Sequence, residues 1–108
     1  MELTNLKAIL EGITGYADKV VYYAWPEREA PQLPFICYLE RQSNNFFADG
    51  ITFAEIKAID IELYTEKRST AEEKKVEAAL TSNGIPWEKA IDYIDDEKCW
   101  MITYTVEV

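Results

Sequence analysis

Asp49-Gly50 lies between two apolar runs, Phe35–Gln42 and Ile59–Thr65, both rich in β-branched and aromatic residues. An Asp-Gly pair is a strong signal for a two-residue hairpin turn, because both central positions of such a turn need positive φ. Placing the turn there fixes the pairing of a large part of the chain. Ala48 falls opposite Ile51, Phe47 opposite Thr52, Phe46 opposite Phe53, Tyr38 opposite Ile61 and Ile36 opposite Leu63. Arms of about 14 residues, at about 3.3 Å per residue, far exceed an ordinary strand, so the tip is expected to overhang the body. Ala54, Ile56 and Ala58 alternate on even positions and Ile59, Ile61 and Leu63 on odd ones. A β-bulge near Ala58 accounts for that change of phase.

The flanks follow from periodicity. Leu3, Leu6, Ile9, Leu10 and Ile13 recur at helical spacing, predicting a helix over 2–14 that ends near Gly12 and Gly15. Lys19–Trp25 reads as a strand, and Pro26, Pro31 and Pro34 make the next segment an extended loop. Ser69 or Thr70 caps a second helix, with Glu72 or Glu73 completing a capping box, and Asn83, Gly84 and Pro86 end it. Trp87–Ile94 and Lys98–Val108 form a terminal hairpin turning at Asp95, Asp96 and Glu97. The expected fold is α+β, one domain over 1–108. A five-stranded, largely antiparallel sheet carries two helices on one face, in the order α-β-β-β-α-β-β, with a long hairpin between the second and third strands.

The chemistry points away from catalysis. The chain has no His, and no Ser or Cys sits in an activating motif, so no catalytic, cofactor or metal residues are assigned. Asp95, Asp96 and Glu97 read as a solvated turn, because adjacent turn carboxylates point apart. Lys67, Arg68, Lys74 and Lys75 read as a solvated helix face interspersed with Glu72, Glu73 and Glu77. Cys37 and Cys99 lie in apolar runs and read as buried free thiols. A formal charge of −9 disfavours gripping a phosphate backbone. The absence of a long apolar run or signal-like start leads to an expected cytosolic protein without a membrane partner.

Contact chemistry stands out instead. Three Trp, seven Tyr and four Phe are more than so small a core is expected to enclose. Two loops are the candidate partner interface: Trp25, Pro26 and Pro31 in the proline-rich segment, and Asn44, Asn45, Phe46, Phe47, Asp49 and Gly50 at the hairpin tip. At the tip, Phe46 and Phe53 serve as a cross-strand pair with Phe47 folded back on the sheet, or the phenylalanines anchor a partner.

Taken in order, the motifs resemble those of small tail-completion proteins of long-tailed bacteriophages and prophages of Gram-positive bacteria, related in fold to tail terminators. The stretches concerned are the P-x-x-x-x-P-x-x-P-F entry from Pro26 to Phe35, S-N-N-F-x-A-D from Ser43, I-E-L-Y-T from Ile61 and I-x-D-x-K from Ile94. The resemblance implies a head-tail joining role in virion assembly. Such a structural protein sits in the virion tail after synthesis in the host cytoplasm, as an oligomeric ring, commonly a hexamer. Its partners are the major tail tube protein and the head-tail connector, and DNA passes through the lumen unbound. Another reading is a small ligand-sensing or regulatory module with a pocket between helices and sheet. An enzyme using Asp92 with Asp95 ranks below both.

Overall fold

The computed structural model describes residues 2–43, 46–48, 51–54 and 56–108, the side chains of 43, 46–48 and 51–54 excepted. Helix α1 (Leu3–Glu11) leads into strand β1 (Val20–Tyr22), then β2 (Phe35–Ser43), β3 (Phe46–Ala48), β4 (Ile51–Ala54), β5 (Lys57–Thr65), helix α2 (Thr70–Ser82), β6 (Trp87–Ile94) and β7 (Cys99–Glu107). Five strands form one sheet in the order β1-β2-β5-β7-β6, and β3 with β4 forms a separate two-stranded ribbon. The fold is α+β, with every sheet pairing antiparallel except that of β1 with β2.

One core fills the space between helices and sheet. Leu6, Leu10 and Ile13 from the first helical region and Val76 and Leu80 from α2 meet Ile36, Tyr38, Ile59, Ile61, Leu63, Ile102, Tyr104 and Val106. These strand residues share one face by the period of two, and most are fully excluded from water. That burial is the main drive for folding, at roughly 25 cal/mol per Å² of apolar surface.

Helix ends account for the differences in length. The first helix is shorter than 2–14: Gly12 is still right-handed at φ −73 and caps it, and Gly15 takes φ 93 in the turn that follows. Ser69 caps α2 by accepting from the Glu72 amide at 3.3 Å. The Glu72 carboxylate does not close a box as expected; it accepts from Tyr16 at 2.7 Å and Lys75 at 3.0 Å. At the far end Gly84, φ 71, donates to Thr81 and Ile85 donates to Leu80, a Schellman ending that buries Ile85 against the core. Strand β1 stops at Tyr22 instead of reaching Trp25, because Tyr23 turns to φ 70.

The hairpin register holds at its base and its tip and slips between them. Tyr38 faces Ile61, Ile36 faces Leu63, Phe47 faces Thr52 and Ala48 faces Ile51, as the turn count requires. Phe46 faces Ala54, not Phe53. Arg41 is an extra residue on β2 between Glu40–Ile59 and Gln42–Ala58, and Phe53 is an extra residue on β4, so two opposed bulges cancel. The bulge expected on the third strand near Ala58 therefore lies across from it, at Arg41. Strand β5 keeps strict alternation, and the phase change at Ala58 and Ile59 reflects burial on both faces of a central strand. Asp60, on the face away from the helices, accepts from Thr105 Oγ1 at 2.9 Å and pairs with Arg41 at 3.6 Å.

Candidate assembly surfaces

The proline-rich segment and the hairpin tip are not one surface. Phe35 begins β2 at the loop and Ser43 ends it at the ribbon. Eight steps of about 3.3 Å put the two candidates roughly 26 Å apart along the strand. Asn44, Asn45, Asp49 and Gly50 lie outside the described residues, and Phe46 and Phe47 are placed by their backbone in β3.

The proline-rich loop lies against the sheet face opposite the helices. Trp25 packs edge-on against Phe35 with centroids 5.9 Å apart, and Phe35 stacks at a tilt on Tyr64 at 5.2 Å. Trp25 and Pro31 are half-buried and Pro26 is exposed. Lys19 Nζ donates to the Gln32 carbonyl at 3.1 Å, tying the loop to the start of β1. A cavity of about 360 Å³ remains beneath it, lined mainly by Trp25, Leu33, Phe35, Tyr64, Cys37 and Cys99. Burial, then the neighbouring Glu62 carboxylate, pushes the Cys37 thiol up to about 11, so it stays protonated at neutral pH. Burial likewise raises Cys99. Both cysteines are free and buried, as their setting predicts. Among the described residues, no hydrogen-bond partner meets the buried indole Nε1 of Trp25.

A second feature emerges only from the strand order. Among the described residues, the large apolar side chains left exposed are Tyr22, Tyr23, Ile91 and Tyr93. They lie on β1, just after it, and on β6, which are the two edges of the sheet. Register places Tyr22 beside Tyr38, Ile91 beside Ile102 and Tyr93 beside Trp100, so these three are exposed on the helix-bearing face, whereas Tyr23 lines the cavity on the opposite face. Strand order is a non-local property, which is why an alternating pattern alone did not identify β6 as an edge.

The solvated charge pattern expected for α2 is also corrected. Glu73 shares the inward stripe of Val76 and Leu80 and is 1% exposed. It pairs with Arg68 at 3.0 Å and Lys89 at 2.6 Å. Burial alone would raise its carboxyl; the bonds from Arg68 and Lys89 outweigh that and hold it below the usual value of 4.5. Glu77 accepts from Lys89 at 2.8 Å and from the Tyr104 hydroxyl at 2.7 Å. Spacing at i, i+3 and i+7 with Val76 and Leu80 was the available signal. The network pins α2 to the sheet, and its partners are satisfied within the chain.

The acidic turn is solvated as expected: Asp95, Asp96 and Glu97 are exposed. Asp92 and Asp95 both face water rather than a shared cleft, which removes the geometric basis for pairing them catalytically. No three metal-ligating side chains gather among the described residues, and no described helix is long and apolar enough to cross a membrane. No family model and no curated protein matches the chain.

Proposed function

We propose that this protein is a non-enzymatic assembly subunit that forms a ring capping a phage tail tube and joins the tube to the head connector. The sequence motifs supply the identity of the assembly. The observation supporting a docking role is the ribbon of β3 and β4, which pairs as its own sheet apart from the five-stranded one. The molecule is correspondingly long, 49 × 28 × 23 Å. An isolated two-stranded ribbon is marginal in water and gains stability when a partner covers it. Phe46 and Phe47 sit on that ribbon, where they would anchor the tube or connector protein. An acidic surface suits a conduit that DNA traverses without adhering.

Phe46→Ser with Phe47→Ser is expected to leave the circular dichroism spectrum and unfolding midpoint close to wild type while abolishing incorporation into tails. Complementation of a phage lacking the gene reads this out, and normal tails carrying the double variant would refute the role. The ligand-sensing alternative draws on the cavity under the proline-rich loop. That cavity lies on the opposite face from the one expected of a pocket between helices and sheet, where the core is filled.

A further inference from the structure

The geometry points to an edge-to-edge contact between copies, in which β6 of one subunit pairs antiparallel with β1 of the next. This rests on the assembly reading above and names the surfaces that would close such a ring. Directions come first. Strand β1 runs with β2, β2 runs against β5, β5 against β7 and β7 against β6, so β1 and β6 run in opposite senses. Copies that continue the sheet with the same strand sense therefore meet β6 against β1 in antiparallel fashion.

The hydrogen-bonding groups agree. Lys57 and Val108 exchange both backbone bonds between β5 and the end of β7. Alternation along β7 then turns its odd-numbered residues toward β6, where they meet Glu88, Ala90, Asp92 and Ile94. The amides and carbonyls of Lys89, Ile91 and Tyr93 are left facing outward. On the other edge, Ile36 donates to Lys19 and Tyr23 donates to Tyr38, which turns Val20 and Tyr22 outward. The outward-facing residues of both edges carry their side chains on the same helix-bearing face.

One register satisfies backbone, face and charge together. Tyr22 opposite Ile91 joins two exposed apolar groups that the edges present separately, and it sets the exposed Tyr93 opposite the backbone of Val20, whose own side chain is already buried. On the other face it brings Lys19 diagonally beside Asp92. Pairing β6 with a second β6 would instead crowd Glu88 and Asp92 of two copies on one face. Charge thus selects the β1 edge as the occupant. The interface is heterologous, so repetition generates a ring or filament rather than a closed dimer.

Two edge variants test this. Ile91→Pro removes an outward amide and is compatible with an edge strand, and Tyr22→Glu charges the other edge. Circular dichroism should show both folded. In sedimentation velocity wild type should associate with concentration and each variant alone should remain monomeric. An equimolar mixture should give a heterodimer and nothing larger, since one intact interface is restored. Dimerisation of Tyr22→Glu alone would indicate pairing between two β6 edges and overturn the assignment. So would wild-type-like association of either variant, or a wild type that stays monomeric at the highest concentrations. Rings on tail tubes that persist in both variants would remove this interface and leave the ring; a wild type that edge-pairs but never caps tubes would do the reverse.

Discussion

Glu73→Ala should lower the free energy of unfolding by about 3 kcal/mol, within the range for breaking a buried ion pair from one side. The Glu73 side chain is 1% exposed, so its carboxylate takes its hydrogen bonds from protein groups, Arg68 and Lys89. Removing it leaves a void in the inward stripe of α2 and strips Lys89 of its nearer partner, at the point where β6 is tied to the helix. Glu77→Ala is the control. Glu77 is 20% exposed, and Lys89 would keep Glu73. Its loss should cost about 1 kcal/mol, nearer the value for a partly screened pair. Urea unfolding followed by tryptophan fluorescence measures both, and equal effects would contradict the assigned hierarchy. The acid limb supplies a second reading. Because the folded Glu73 carboxyl lies below 4.5, its contribution is present above that pH and is lost as pH falls through the folded value. Glu73→Ala should therefore unfold in acid with a shallower slope.

At the alkaline end the expected effect is of similar size and opposite direction. Burial first, then the bond to Glu72, raises the Tyr16 hydroxyl far above its ordinary 10.0. Burial and the bond to Glu77 do the same for Tyr104. Tyr16 is 1% exposed and Tyr104 fully buried, so both hydroxyls stay protonated in the folded chain when the unfolded chain ionises. A raised folded value means stability that is whole below pH 10 and is lost as pH climbs toward the folded value. Each such tyrosine costs about 1.4 kcal/mol per pH unit in that window, about 3 kcal/mol for the pair. Ultraviolet titration should show these tyrosines ionising only together with unfolding. Replacing both by Phe should flatten the alkaline limb; an unchanged limb would show that other groups govern it.

Both effects trace to one design in α2. Its apolar stripe is thin, Val76 and Leu80 being its fully buried apolar residues, and the carboxylates of Glu72, Glu73 and Glu77 dock it to Tyr16, Arg68, Lys89 and Tyr104. A helix composed like this reads from sequence as solvent-facing. The spacing of Glu73 with Val76 and Leu80 places it on the inward stripe, but its partners, Arg68 and Lys89, and the role of Glu77 on Tyr104 follow only from tertiary placement.

The same distinction separates what was legible from what was not. Element order, the Ser69 cap and the Gly84 ending depend on residues close in sequence, and the base and tip of the hairpin follow from counting outward from Asp49-Gly50, so each was readable. The opposed bulges at Arg41 and Phe53 cancel over the hairpin, so counting from Asp49-Gly50 detects neither. The parallel pairing of β1 with β2 joins Val20 to Ile36 across the proline-rich loop, and no local signal specifies it. That pairing makes β1 an edge, and the edges with Tyr22, Ile91 and Tyr93 became candidate surfaces only once strand order was known. At the ribbon, backbone pairing places Phe46 and Phe47 in β3.

Electron microscopy of the purified protein mixed with tail tubes assembled from a major tail protein is the decisive test of the proposed tail-completing role. A ring of subunits is expected at one end of each tube, with tube growth ending there. Tubes that keep lengthening, with both ends bare at saturating protein, would contradict it.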